Sequence, residues 1–96
     1  MAKCYSPTQL RALRNRIPID QLIGKELSLL TKRSEGHLRF LCPLCRDFHT
    51  AINPKTNLAR CFRCEKNFNP IDMVMTVHQC TFIEAVRLLI PLLPPS

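Results

Sequence analysis

The spacing of apolar residues at the start of the chain predicts helical structure. These residues recur at intervals of three and four, which places them on one helix face; they are Leu10, Leu13 and Ile17. Ser6 is a good N-cap and Pro7 a good first helical residue. Pro18 should interrupt the helix, and Gly24 should close it in a left-handed conformation. We therefore predict helical structure over residues 7–23.

After these helices, apolar and polar residues alternate, which is typical of β-strands with one buried face. Four segments alternate in this way: 26–29, 38–42, 48–53 and 58–62. Turn-forming residues at 34–36 and 53–57 should join them into two hairpins. The pattern predicts β-hairpins over residues 26–64.

Helical signals return in the last third of the chain. Asn69 and Pro70 read as a cap and a first helical residue, and Thr81 with Glu84 has the spacing of a capping box. The predicted helices are 70–79 and 82–90, and the proline-rich tail 91–96 is predicted to be disordered. The fold class is therefore α+β, an antiparallel sheet flanked by N-terminal and C-terminal helices.

Length and composition narrow the class of protein. The 96 residues fit a single domain, 1–96, whose core alone gives modest stability. The N-terminus lacks the apolar run of a secretory signal, so we expect a cytoplasmic protein whose cysteines are reduced. The longest apolar stretch, 88–93, is broken by Pro91 and is too short for a bilayer, so no membrane partner is expected. A net charge of +7 favours polyanionic partners.

Two Cys-x-x-Cys pairs carry the clearest chemistry. Cys42 and Cys45 are separated from Cys61 and Cys64 by 15 residues, a spacing typical of four-cysteine zinc sites. Each pair ends a predicted hairpin, so four thiolates can close a tetrahedron around one structural zinc ion. An iron or iron–sulfur centre also uses four cysteines and stays open as an alternative. His49 is a weaker candidate ligand, since four thiolates already complete the shell.

Two cysteines lie far from these pairs in the sequence. We interpret Cys4 and Cys80 as small apolar fillers, with Cys80 at the junction of the last two helices. Neither is expected to bind the metal.

Several short motifs also occur in a particular order. They are Ile19-Asp20-Gln21-Leu22-Ile23, Cys42-Pro43, Asn53-Pro54, Ala59-Arg60-Cys61-Phe62-Arg63-Cys64, Pro70-Ile71-Asp72 and Phe82-Ile83-Glu84-Ala85-Val86. Together they resemble the N-terminal zinc-binding domain of bacterial DnaG-type DNA primases, over about residues 17–93. The resemblance implies a zinc ribbon. Cys45 stands where that family has histidine, which keeps four ligands but adds negative charge.

The resemblance also implies a sheet whose basic and aromatic residues contact single-stranded template. The contact residues expected on this basis are Lys32, Arg33, Arg39, Arg60, Phe62 and Arg63. Residues 25–66 hold nine Lys and Arg against four acids, interleaved with phenylalanines, which fits phosphate contacts and base stacking. Phe40 and Phe82 are expected in the core. Core packing and base stacking both stay open as roles for Phe48, Phe62 and Phe68.

These observations favour a zinc-dependent module that binds single-stranded nucleic acid in replication, priming or mobile-element maintenance. The alternative is an adaptor that docks on a helicase, primase core or transposase through Leu88, Leu92 and Leu93. No small-molecule substrate is expected. The seven acidic residues contain no close pair that would hold magnesium for nucleotidyl transfer, so the chain is expected to be an accessory primase module, not an enzyme.

Overall fold

The computed structural model describes residues 5–94, and its first element is helix α1, Pro7–Arg16. The helix begins at a capping box, in which the Ser6 hydroxyl accepts from the Gln9 backbone N–H at 3.1 Å and the Gln9 amide oxygen accepts from the Ser6 N–H at 2.9 Å. These two bonds satisfy donors that an uncapped helix leaves unpaired. The predicted helix start is confirmed.

Helix α2, Ile19–Gln21, continues directly into a π-helical turn, Leu22–Glu26. The prediction that Gly24 closes this segment is wrong, because Gly24 lies inside the π-helical turn. The left-handed residue is Ser28, at φ 53°. The helical segment therefore extends three residues beyond its predicted end.

The first sheet is a hairpin of β1, Thr31–Ser34, and β2, His37–Phe40. Its two-residue loop, Glu35-Gly36, has φ values of 52° and 78°, as a type I′ turn requires. The predicted turn is confirmed, but the strand predicted at 26–29 is wrong. Leu27 and Leu29 alternate in burial because they pack against the core from an irregular segment, not because they lie in a strand.

The second sheet has three antiparallel strands in the order β3, β4, β5: Thr50–Asn53, Leu58–Cys61 and Lys66–Phe68. The hairpin of β3 and β4 matches the prediction. Strand β5 was not predicted, since its three residues are too short to show alternation. It pairs with the strand that carries Cys61 and buries Phe68 to 2% exposure.

Thr50 joins the two sheets. Its hydroxyl accepts a hydrogen bond from the Phe40 N–H at 2.9 Å and donates to the Phe40 carbonyl at 2.6 Å, in a fully buried position. Because both backbone groups of Phe40 bind one side chain, the end of β2 is fixed beside the start of β3. The predicted ribbon is thus two sheets held as one layer.

The C-terminal helices are α3, Pro70–His78, and α4, Phe82–Leu89, followed by a 3₁₀ turn, Ile90–Leu92. The capping box predicted at Thr81 and Glu84 is present, and the predicted Asn69 cap forms a second one with Asp72. The prediction of a disordered tail is wrong for its described part, since Leu92 and Leu93 pack against the helical core. Residues 95 and 96 lie outside the described residues, as does Cys4.

The core consists of two adjoining clusters. One lies between the sheets and the helical segments and contains Ile19, Ile23, Phe40, Cys42, Ile52, Ala59, Cys61, Phe68 and Met73. The other lies among the helices and contains Leu13, Ile17, Leu22, Ile71, Val74, Ala85, Val86 and Leu89, with Cys80 partly buried against it. The α+β architecture is confirmed: an antiparallel ribbon carried on a base of helices.

Among the residues that the structure describes, no single helix is both long and apolar enough to cross a bilayer. Only when taken together are Pro70–His78 and Phe82–Leu92 long and apolar enough for a bilayer, and the two segments are bent by 113° with respect to each other.

Candidate metal centre and nucleic-acid interface

The four cysteine sulfurs of the two Cys-x-x-Cys turns, or knuckles, converge on one point. All four Sγ atoms lie within 4.8 Å of one another. The cross-knuckle distances are 3.9 Å from Cys42 to Cys64 and 3.6 Å from Cys45 to Cys61. A tetrahedron with zinc–sulfur bonds of 2.3 Å has edges of about 3.8 Å. The geometry therefore fits a tetrahedral thiolate site.

Each knuckle holds its first sulfur with a backbone hydrogen bond. The Leu44 N–H donates to Cys42 Sγ at 3.4 Å, and the Cys64 N–H donates to Cys61 Sγ at 3.3 Å. Cys42 and Cys61 are fully buried, while Cys45 and Cys64 are half-buried. Donors of this kind stabilise thiolates and orient their lone pairs toward the centre of the cluster.

The thiol pKa values show which cysteines must lose a proton when a metal ion binds. Burial raises the pKa of Cys42, and burial together with hydrogen bonds to neighbouring thiols raises the pKa of Cys64 to about 12. Burial acts in the same direction on Cys61, but hydrogen bonds from the Cys64 N–H and nearby thiols outweigh it and lower the pKa of Cys61. Without metal, Cys42 and Cys64 hold their protons at neutral pH. Metal binding must release them, so affinity should rise with pH.

His49 and Cys80 lie outside this cluster. Within residues 5–94, the group of side chains placed to hold a metal consists of the four knuckle cysteines. His49 instead lies beside Phe62, with ring centroids 5.5 Å apart. Cys80 lies between α3 and α4, its N–H donating to the Met75 carbonyl at 3.2 Å.

One side of the ribbon, the basic face, gathers the outward residues of both sheets. It consists of Lys32, His37, Arg39, Ala51, Arg60 and Asn67. The strand register explains the grouping, since Lys32 pairs with Arg39, and Arg60 pairs with Ala51 and Asn67. Directly opposed residues project from the same side of a sheet. Three of the predicted contact residues, Lys32, Arg39 and Arg60, therefore share one face.

Aromatic rings stand beside these cations. Phe62 is 43% exposed, and the Arg60 guanidinium carbon lies 5.6 Å from its ring centroid. The Lys32 ammonium lies 4.7 Å from the centroid of Phe48. These are cation–π distances. The pairing of Lys32 with Phe48 could not be read from the sequence, because β1 and the loop before β3 meet only through the packing of the two sheets.

An open groove of 620 Å³ runs along the second sheet. Its lining includes Arg60, Phe62 and Asn67, together with Lys55 of the β3–β4 turn. Lys55 and Asn67 were not among the predicted contacts. Lys55 lies in a predicted turn, and Asn67 lies in the strand that was not predicted, so neither carried a signal of its own.

Two other predicted contact residues lie away from this face. Arg33 pairs with Leu38, whose side chain faces the core side of the hairpin, and it borders a small pocket shared with Asp20. Arg63 donates to the Asp47 carboxylate at 3.0 Å, and this hydrogen bond lowers the Asp47 pKa. The structure therefore places Arg33 apart from Lys32, Arg39 and Arg60. It pairs Arg63, in the second knuckle, with Asp47, which follows the first knuckle.

The structure also divides the phenylalanines differently from the prediction. Phe40 is fully buried as expected, but the core assignment of Phe82 is wrong, since it is 40% exposed in the first turn of α4. Among the three left open, Phe68 belongs to the core. Of the leucines considered for docking, Leu88 is 51% exposed, while Leu92 and Leu93 are partly buried.

Comparison with known proteins agrees with this geometry. A family model described as the CHC2 zinc finger matches residues 5–93. A protein of Streptomyces coelicolor named DNA primase is 30% identical over 89 residues, which cover 91% of this chain and 14% of that protein. The chain thus spans a small part of its relative's length, in the zinc-finger region. Since the match includes both knuckles and the helices on either side of the ribbon, the chain belongs to the CHC2 zinc-finger family, the zinc ribbon of DnaG-type DNA primases.

Proposed function

We propose that this chain is a zinc-dependent module that binds single-stranded nucleic acid, with single-stranded DNA as its main partner. The observation that carries the proposal is the basic face, where Lys32, Arg39 and Arg60 lie on one side of the ribbon next to the exposed ring of Phe62. Cations that contact phosphates, combined with aromatic rings that stack on bases, are the usual means of binding single strands.

We assign one zinc ion to Cys42, Cys45, Cys61 and Cys64. The family, the soft sulfur donors and the tetrahedral spacing of the sulfurs support zinc over other metals. Four protein ligands leave no position for water or substrate, so this zinc is structural. The four free thiols need a reducing compartment to stay available for metal, and for this reason we place the protein in the cytoplasm.

The contacts that we propose for a bound strand follow the basic face. Arg60 and Lys32 would meet phosphates, and Phe62 would stack on a base. Arg60 also donates from Nη1 to the Asn67 side-chain oxygen at 3.3 Å, and both residues line the groove. Lys55 also lines the groove and adds to its positive charge. This arrangement favours a strand that runs along the second sheet.

The biological process is proposed from the relative. A zinc domain resembling part of a DNA primase would act in replication, in priming or in the maintenance of a mobile element, together with a replication, recombination or transposition protein. In this proposal the chain positions template and takes no part in nucleotidyl transfer.

Binding of a fluorescent single-stranded DNA oligonucleotide over a salt series tests this proposal. The wild-type protein with zinc should bind at low salt, with a log–log slope of about −0.7 for each phosphate contacted. Arg60→Ala should weaken binding and reduce the slope by about one contact. Arg33→Ala is the matched control, because it removes the same charge from the other side of the sheet.

The adaptor function is the second candidate, and a specific observation favours it. Leu88 is 51% exposed beside a small groove lined by leucines, among them Leu22, Leu27 and Leu92, together with Glu26 and His78. The same titration separates the two functions. If the zinc-loaded, folded protein does not bind oligonucleotide at low salt, the nucleic-acid proposal fails and the adaptor function takes its place.

A further inference from the structure

A second set of cations lies on helix α1, outside the ribbon. Arg11, Arg14 and Arg16 are all exposed, and no acidic residue occurs in the sequence before Asp20. The ion pairs among residues 5–94 are Arg39 with Glu35 and Arg63 with Asp47. Within the described chain, the three guanidinium groups of α1 therefore have no carboxylate partner.

The positive charges of α1 do not all stabilise the helix itself. Arg11 and Arg14 are three residues apart and repel each other on one flank of the helix. Arg14 and Arg16 in the last turn interact favourably with the helix dipole, whereas Arg11 lies before the last turn and gains little from it. A cluster of like charges without carboxylate partners on a short helix is typical of a surface that binds a polyanion.

The β3–β4 turn brings this helix next to the ribbon groove. The Asn57 side-chain amide donates to the Arg14 carbonyl at 2.6 Å and to the Ile17 carbonyl at 2.7 Å, so the turn caps the C-terminal end of α1. Lys55, two residues away in the same turn, lines the groove that contains Arg60. The C-terminal end of α1, the β3–β4 turn and the groove are therefore adjacent in the structure.

We propose that the nucleic-acid surface continues from the basic face across Lys55 onto α1, where Arg11 and Arg14, three residues apart on one flank of the helix, contact phosphates of a longer single strand. The inference rests on the proposed function and adds a second segment to the binding site. The longest dimension of the molecule is 44 Å, which leaves room for a strand to occupy both segments. Short strands should fill only the groove, and longer strands should reach the helix.

The test compares oligo(dT) strands of about 6 and about 16 nucleotides with the zinc-loaded protein, by fluorescence anisotropy over a salt series. The double variant Arg11→Gln/Arg14→Gln keeps good helix formers and removes two charges from one flank of α1. On the longer strand its log–log salt slope should be shallower than wild type by about 1.4, and on the shorter strand it should match wild type. Arg87→Gln, which removes a charge from the last turn of α4, should match wild type on both strands.

Each other outcome has a defined meaning. If the double variant matches wild type on the longer strand while Arg60→Ala still weakens binding, the extension onto α1 is wrong and the proposed function stands. If wild type binds neither strand, both proposals fail. Equal losses from Arg87→Gln would show a general charge effect and overturn the inference. Arg11→Lys/Arg14→Lys keeps the charges and should bind as wild type, and a loss in this variant would also contradict the phosphate contacts.

Discussion

Arg39 reaches from the first sheet to the second and donates from Nη1 to the Thr50 carbonyl at 2.8 Å. Its side chain is only 17% exposed, and its second nitrogen approaches Glu35 at 3.3 Å. Thr50 is the same residue whose hydroxyl binds both backbone groups of Phe40. Arg39 thus helps to hold the two sheets together, in addition to adding charge to the basic face.

The first prediction concerns this link. Arg39→Ala should lower the free energy of unfolding of the zinc-loaded protein by about 1 to 3 kcal/mol, because a carbonyl in a part-buried position loses its charged donor. Chemical denaturation measures the change. Arg60→Ala, which removes an arginine from the same face, should leave stability within about 0.5 kcal/mol of wild type. Unchanged stability of Arg39→Ala, together with weaker oligonucleotide binding, would assign Arg39 to contact alone.

The second prediction concerns Asn57, which connects the β3–β4 turn to the N-terminal helices. Its Oδ1 accepts from the Ile19 N–H at 2.9 Å, while its amide donates to two carbonyls at the end of α1. Its φ of 56° also suits asparagine better than alanine. Asn57→Ala should therefore destabilise the protein by about 2 to 4 kcal/mol in thermal or chemical unfolding.

The matched control is Asn53→Ala, at the last residue of β3 just before the same turn. Asn53 makes one exposed side-chain hydrogen bond, to the Lys55 N–H at 3.0 Å, so its loss should cost less than about 1 kcal/mol. Equal effects of the two variants would contradict the linking role of Asn57.

The third prediction concerns the cysteine that replaces the family's histidine. Cys45→His should keep one zinc per chain after dialysis, because three thiolates and one imidazole also form a closed tetrahedral site. Cys45→Ala should lose metal under the same conditions. Cys80→Ser, outside the cluster, should keep it. Retention of full zinc by Cys45→Ala would exclude Cys45 as a ligand.

The fourth prediction uses the left-handed residue after the second knuckle. Glu65 has φ 55°, a conformation that glycine adopts freely and β-branched residues avoid. The free energy of unfolding of Glu65→Gly should exceed that of Glu65→Val by about 1 to 2 kcal/mol. Lys66→Val is the control, since Lys66 is an exposed residue of strand β5 and valine suits a strand. A Glu65→Val protein as stable as Glu65→Gly would contradict the strain at this position.

Local signals in the sequence were sufficient to predict the knuckles and the N-terminal caps of the helices. The spacing of the four cysteines predicted the cluster because each pair closes its own turn, and Ser6, Asn69 and Thr81 each form their caps with residues three positions away. Such features depend on a few neighbouring residues. They can be read without knowing the rest of the fold.

Features that depend on distant contacts were misplaced. Leu27 and Leu29 alternate because of where they pack, and Phe82 is exposed because α4 turns that side chain away from the core. The engagement of Arg39 by Thr50 requires the two sheets to meet, which no local pattern specifies. Arg33 was grouped with the other cations for a different reason: the first strand was predicted at 26–29, so the alternation within β1 that places Arg33 on the opposite face from Lys32 was not recognised.

The most direct test of the central claim compares oligonucleotide binding with and without metal. The zinc-loaded protein should bind single-stranded DNA at low salt, lose binding together with its folded structure when zinc is chelated, and regain both when zinc is restored. Circular dichroism and fluorescence anisotropy on the same samples follow folding and binding. A folded, zinc-loaded protein that does not bind the strand at low salt would contradict the account.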